Sequence, residues 1–300
     1  MQMRDSSLTN AMTVDVEDYF QVYAFEHVLK DRDWSTFECR IPRNVERILE
    51  MFAANGVKGT FFTLGWVAQQ YPALVRAIVA EGHEIASHGM RHVRVTEQTP
   101  AQFREDASAA KQLLEGVSGH PVLGYRAASY SIGERNLWAL DVLADCGYRY
   151  SSSVYPIRHD IYGMPNAPRF AFHAARGRLM EIPVTTVELA GRKWPSGGGG
   201  YFRLLPYRIS RWALQRVNRR DREPALFYFH PWEIDPDQPR IEAAGWRSNF
   251  RHYLNLRRMQ GRLERLLRDF RWDRMDRVFL GRTVTASLDG KDPVPVGGSW

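Results

Sequence analysis

Two histidines four residues apart close the stretch Glu84-Ile-Ala-Ser-His-Gly-Met-Arg-His92. On a helix or tight turn, side chains at i and i+4 point the same way, so His88 and His92 suit two imidazole ligands of one metal ion. The spacing alone is common, and its company is what gives it weight. Thr13-Val-Asp-Val-Glu-Asp18 ends an apolar run on acids, and Leu226-Phe-Tyr-Phe-His230 ends another on a histidine. Carboxylates set beside an apolar run are costly to bury without partners. In a strand, i and i+2 share a face, so Asp15 and Glu17 can look at one point.

The elements that must position these groups follow from periodicity. Strands are expected over 11–16, 59–64, 83–87, 122–125, 148–154, 179–187 and 225–229. Helices are expected over 44–54, stopped by Gly56, then 72–80, 100–115, 134–144, 207–217 and 246–270. Thr99 reads as an N-cap, with Pro100 in the first turn. Residues 155–178 are too irregular to assign, and the four glycines within 195–202 predict a flexible or tightly turned loop. About seven strands alternating with helices imply an α/β fold whose parallel sheet is closed, or nearly closed, into a barrel. Such barrels do chemistry at the C-terminal ends of their strands, which is where Asp15, Glu17, His88, Arg126 and His230 fall.

Composition narrows the function classes. The chain has 300 residues, 44% hydrophobic and 25% charged, with no apolar run near the ~20 residues that cross a bilayer. Its first ten residues lack a signal-peptide pattern, so a cytoplasmic location is expected. Cys39 and Cys146 are the only cysteines, which argues against a disulfide framework or a thiolate metal site. The net charge of +7 comes largely from an arginine-rich C-terminal third, where arginines alternate with apolar residues as on a solvated helix face. Nucleic acid is therefore not an expected partner, whereas an anionic glycan or peripheral contact with a membrane surface stays open.

Across Thr13 to Glu233 these motifs together resemble the NodB-homology polysaccharide deacetylases of carbohydrate esterase family 4. The resemblance implies a distorted (β/α)7 barrel over 1–245, followed by a C-terminal helical extension over 246–281 and a disordered tail over 282–300. More narrowly, Val14-Asp-Val-Glu-Asp-Tyr-Phe20, the glycine-rich 196–205 and Phe229-His-Pro-Trp-Glu-Ile-Asp235 resemble deacetylases of bacterial exopolysaccharide and exosortase gene clusters. It implies Asp15 as general base, His230 as general acid and Arg126 as the residue that orients the base. Glu17, His88 and His92 would be the metal ligands, with Asp18 as the alternate acid. Tyr130 is similar to the position whose backbone N–H helps bind the oxyanion. Trp232, Tyr201, Trp194 and the Tyr130 ring could offer flat faces to a sugar. The implied cofactor is a divalent ion, zinc first, with cobalt, nickel or iron accepted by the same ligands. The chain departs from the family pattern at Gly89, Ala128 and Ser151, where a hydrogen-bonding loop residue, a proline and a carboxylate are usual.

The implied activity is hydrolysis of N-acetyl groups on a polysaccharide or its precursor during exopolysaccharide or cell-envelope biosynthesis. Two rivals are an amidohydrolase opening a small cyclic C–N substrate, allantoinase-like or imidase-like, and a catalytically inactive glycan-binding subunit. Sugar identity, linkage, chain length and oligomeric state are not written in these motifs. His27, His83, His120, His159, His173 and His252 receive no role.

Overall fold

The computed structural model of the protein describes residues 8–29, 33–159, 162–241, 245–284 and 286–288. Strand β1 (Thr9–Val16) is buried along all but its first residue, as befits a central strand covered on both faces. After it come α1 (Glu26–Leu29), α2 (Ile41–Asn55), β2 (Thr60–Thr63), α3 (Gly65–Gln70), α4 (Pro72–Ala80) and β3 (Glu84–Ser87). Then follow α5 (Pro100–Ser118), β4 (Gly124–Tyr125), α6 (Trp138–Asp145), β5 (Tyr150–Ser151), β6 (Phe172–Ala174) and β7 (Leu179–Glu181). A hairpin of β8 (Thr186–Leu189) and β9 (Arg192–Pro195) leads to α7 (Gly199–Leu204), α8 (Tyr207–Arg216) and β10 (Leu226–Phe229). The described chain continues through α9 (Trp246–Tyr253), α10 (Leu256–Asp269), β11 (Arg271–Asp273) and α11 (Met275–Phe279).

The large sheet runs β10-β1-β2-β3-β4-β5-β7-β6, with β11 also paired to β1. Its pairings are parallel except for β6 against β7. The result is an α/β fold with a curled, half-barrel sheet, the form the expected barrel takes. Register explains why distant motifs converge. Val14 pairs with both Phe61 and Phe229, Thr63 with Ser87, Ser87 with Tyr125, and Tyr125 with Ser151. The residues that follow, Asp15, His88, Arg126, Ser152 and His230, therefore line up at the C-terminal end of the parallel strands.

Local signals hold where they are strongest. Gly56 ends α2 in the left-handed region (φ 62°), and Thr99 with Gln102 forms a reciprocal capping box at the start of α5. Three expectations change. The strand expected over 179–187 is two, β7 and β8, because the chain leaves the large sheet for the hairpin. The helix expected over 246–270 breaks at Leu254–Asn255, where Asn255 is left-handed (φ 55°) and the Arg203 guanidinium takes the freed carbonyls of His252 and Leu254 at 2.7 and 2.8 Å. The glycine stretch is not a flexible loop: it carries Pro195 at the end of β9 and opens α7 at Gly199. Gly197 also bridges the seam between the start of β8 and β10, donating to Thr185 O (3.1 Å) and accepting from Tyr228 N (2.8 Å). A Cβ there would lie 2.4 Å from Leu226 O, so only glycine lets the two segments approach.

The irregular 155–178 contains β6. Of the tail, Ala286–Leu288 lies along His173, with hydrogen bonds of 2.8 and 3.0 Å, and 285 and 289–300 fall outside the described residues. Among the described residues, no helix is long and apolar enough to cross a membrane.

Candidate active site

Beyond β1 the chain turns sharply, with Glu17 N donating to Asp15 O at 2.9 Å, and both carboxylates face one pocket of about 190 Å³. His88, His92, His230, Tyr130 and Trp232 line the same pocket. His88 lies just past β3, and its Nδ1 sits 2.8 Å from Arg126 O. That bond fixes the proton on Nδ1 and leaves Nε2 as the lone-pair donor. His92 adopts φ 55°, which brings its ring 5.2 Å from that of His88 and its Nε2 2.9 Å from Glu17 Oε2.

Glu17, His88 and His92 each offer a ligand atom within 4.8 Å of the others. Glu17 Oε2 is buried with no hydrogen-bond donor aligned on it, an orphaned acceptor that a cation would satisfy. Two imidazoles and one carboxylate are the donor set of an open divalent-metal site, so the residues present fit such an ion. Burial alone would raise the Glu17 pKa, but His92, His230 and His88 more than offset it and hold the carboxyl below its usual range. Burial, then the neighbouring His92, pushes His88 down to about 3, the neutral form a ligand needs.

Asp18 is not part of this cluster. Its carboxylate accepts the N–H groups of Tyr19, Arg40 and Ile41, anchoring the start of α2, so the alternate ligand is a structural residue. Arg126 is fully buried, donating to Asp15 Oδ1 and, at 2.9 Å, to Thr13 Oγ1, with its guanidinium 3.9 Å from the Phe62 ring centre. The serine triplet takes over where a carboxylate was expected. Ser152 accepts from Arg126 through its carbonyl (3.3 Å) and hydroxyl (3.1 Å), and Ser153 Oγ accepts from Ala127 N (2.9 Å). A carboxylate does stand behind them, since Glu181 of β7 accepts the N–H groups of Ser153 and Val154, each at 2.8 Å.

The departure at Gly89 is also compensated. Gly89 has φ 78°, a Cβ would meet Asp106 Oδ2 at 2.8 Å, and Asp106 and Ser87 supply the loop's hydrogen bonds at Met90 N (3.2 Å) and Gly89 N (3.3 Å). At Ala128 the backbone takes a tight turn, with Ser129 and Tyr130 both at positive φ. Tyr130 lines the pocket, but its N–H donates to Ala127 O at 3.1 Å, so it is not the free oxyanion donor expected of it.

His230 Nε2 lies 3.2 Å from Glu17 Oε1 and 3.9 Å from Asp15 Oδ2. On its other side, Nδ1 is 3.1 Å from Glu233 Oε2, which also accepts His230 N at 2.9 Å. Burial lowers the imidazole's pKa, yet Glu17, Glu233 and Asp15 together lift it to about 9. Burial would raise Glu233, but Arg203 Nε, bonded to Glu233 Oε1 at 2.7 Å, and His230 bring it down to about 2.

Trp232 is stacked between His230 (ring centres 5.2 Å) and His252 (4.1 Å), so it backs the imidazole instead of lying open as a sugar platform. Tyr201 lines a neighbouring cleft, and Trp194 is half exposed on the β8–β9 hairpin. Glu233, Arg203 and His252 were not singled out from sequence. The only signal for Glu233 was its place three residues after His230, a capping-box spacing.

Residues 29–151 match the family model of polysaccharide deacetylases, and residues 152–280 match a domain of unknown function, DUF3473. A chitooligosaccharide deacetylase of Bradyrhizobium sp. (strain ANU 289) is 31% identical over 97 residues, 32% of this chain and 42% of that protein. A peptidoglycan-N-acetylglucosamine deacetylase of Bacillus cereus is 29% identical over 96 residues, 32% of this chain and 35% of the relative. The chain thus spans less than half the length of these curated relatives. A Mycobacterium smegmatis structure named for polysaccharide deacetylases superposes with a TM-score of 0.62 at 18% identity, covering 95% of this chain and 96% of the other. An allantoinase structure superposes at 0.57 and 18% identity, covering 92% and 90%. At such identities the superpositions establish the fold, and it is over residues 29–151 that the sequence itself matches the polysaccharide deacetylase family.

Proposed function

We propose that this protein is a metal-dependent hydrolase that removes N-acetyl groups from an N-acetylated polysaccharide or its precursor, with zinc as its ion. The observation that carries the reading is the convergence of Glu17, His88 and His92 on one side and Arg126-held Asp15 and Glu233-held His230 on the other, around one pocket. A divalent ion held by Glu17, His88 and His92 would polarise the acetyl carbonyl and make water a better nucleophile.

The chain's own groups do the proton work. Asp15, aimed by the Arg126 guanidinium that donates to its Oδ1, takes a proton from the attacking water as the C–O bond forms. His230, protonated at neutral pH, gives a proton to the nitrogen as the C–N bond breaks, releasing acetate and a free amine. The resemblance of 14–20, 196–205 and 229–235 to exopolysaccharide-cluster deacetylases supports a substrate from exopolysaccharide or cell-envelope biosynthesis. The hydrogen-bonded loop at Gly89 and the Ser152 contacts of Arg126 favour an active enzyme over an inactive binder. Retention of both histidines favours a metal enzyme over a metal-free ring opener.

The test is metal content together with acetate release. Protein prepared without chelator should hold near-stoichiometric divalent metal, lost in His88→Ala, His92→Ala and Glu17→Ala but kept in Asp18→Ala. It should release acetate from N-acetylated chito-oligosaccharides. Unchanged metal in all three ligand variants would refute the ligand set, and absence of acetate with turnover of a cyclic amide would move the protein to the ring openers.

A further inference from the structure

Beside the pocket of Asp15 and His230 lies a larger cleft of about 950 Å³, at the upper end of the range usual for ligand sites. Tyr23, Ala24, Tyr162 and Tyr228 line both cavities, so the two form one continuous trough. Helix α9 forms one wall. Trp246, Phe250 and Leu254, spaced i, i+4 and i+8, face the cleft, and Trp246 and Phe250 are 75% and 56% exposed. Arg247 and Arg251 run beside them at the same spacing and also line the cleft.

The charges along this trough are uneven. Arg94, on the cleft lining, is already paired with Glu26 (3.7 Å) and Glu97. Arg247 and Arg251 make no salt bridge among the described residues, and Arg247 only rests on the Trp246 ring at 5.3 Å. An aromatic stripe and a basic stripe side by side thus meet solvent in a concavity. Exposed apolar surface of this kind marks a binding site. A membrane would call for a protruding apolar face; a trough running into the proton-transfer groups fits a chain-like ligand threaded past them.

We propose that the trough is an extended substrate cleft for an acidic N-acetylated oligosaccharide, with sugar rings against Trp246 and Phe250 and a uronate carboxylate on Arg247 and Arg251. The direction of the bound chain rests on the deacetylase reading above. Arginine pairs with carboxylate through two parallel charge-assisted bonds, and flat rings offer the apolar faces of sugars a contact that needs no charge. The acetamide to be cleaved would then sit one or more sugars away from the carboxylate that α9 recognises.

The test uses the full chain as Asp15→Asn, whose turnover should be about 10²–10⁴-fold slower, titrated calorimetrically with two tetrasaccharides. One is a neutral N-acetylglucosamine oligomer, and the other alternates N-acetylglucosamine with glucuronate. The acidic ligand should bind about tenfold tighter, the scale of one or two charge-assisted pairs, and the advantage should shrink as salt rises. Arg247→Glu combined with Arg251→Glu should bring the ratio of affinities toward one. Trp246→Ala should weaken both ligands, with circular dichroism confirming that each variant is folded.

Equal affinities before the arginines are changed, or a ratio unaltered by the double substitution, would overturn the proposal. So would loss of binding to phosphatidylglycerol vesicles in the double variant with both oligosaccharide affinities intact, which would assign α9 to a membrane surface. Acetate release without acidic preference would leave the deacetylase reading standing and the cleft refuted; acidic preference without acetate release from the unsubstituted protein would do the reverse.

Discussion

His230 is ringed by carboxylates, with Glu17 and Asp15 at one nitrogen and Glu233 at the other. A histidine so placed stays protonated through neutral pH, so its service as an acid declines only as pH rises through its elevated pKa. The rate should therefore fall on an alkaline limb set by His230. Glu233→Gln removes one of the charges that hold the proton, so that limb should move to lower pH, which a kcat–pH profile would show. An unmoved limb would mean that another group donates to the amine. Asp15→Asn and His230→Ala should each lose about 10²–10⁴-fold in turnover with metal content unchanged, because general acid–base groups contribute on that scale without binding the ion.

Among elements, the short helix α7 carries more than its sequence suggests. It begins at Gly199, whose missing side chain admits the Glu233 carboxylate, and includes Arg203, which holds the other Glu233 oxygen and the carbonyls at the α9–α10 break. A Cβ at Gly199 would stand 2.1 Å from Glu233 Oε2. Gly199→Ala must displace either the carboxylate or the helix, at a cost of about 1–3 kcal/mol for such overpacking. Denaturant unfolding should show that loss, and turnover should drop with metal retained, since His230 loses its partner. At Gly200 a Cβ meets nothing within 4 Å, so Gly200→Ala should keep wild-type stability.

For the whole molecule, the two family matches do not mark two separate folding units. β1 pairs with β10 and β11 from the C-terminal half, and β5 pairs with β7. At the end of the sheet opposite the site, Glu84 ties these halves together. It is buried, bonded by Thr60 Oγ1 (2.5 Å) and Tyr150 OH (2.9 Å), and approached by Asp276 N (3.3 Å) at the start of α11. Burial, then Asp276, raises its pKa to about 7. A raised folded pKa means that Glu84's stabilising share is full below the unfolded value near 4.5 and is lost as pH rises through 7. Glu84→Gln keeps the neutral hydrogen bonds and has no charge to expose. Its stability relative to wild type should thus grow from pH 5 to pH 8, by at most on the order of 3 kcal/mol. Melting curves across that range would check it; a constant difference would remove Glu84 from the pH dependence.

The chain's sequence by itself determined the strand-ending motifs, the parallel α/β architecture and the three metal-ligand candidates. Acids and histidines at the ends of buried apolar runs have few bland explanations, and a parallel sheet brings such ends together. Helix ends at Gly56 and Thr99 were legible for the same local reason, a backbone need that one residue type meets. Only the tertiary structure shows Glu17 gathered with the two histidines and Asp18 turned to the backbone N–H groups at the start of α2. It also turned Trp232 from a sugar platform into a support for His230, took the Tyr130 N–H out of the oxyanion role, and made a glycine run into a packed helix start. Each of those outcomes depends on an approach between segments far apart in the chain. No local propensity encodes such an approach, because the partner atoms exist only once the sheet has closed.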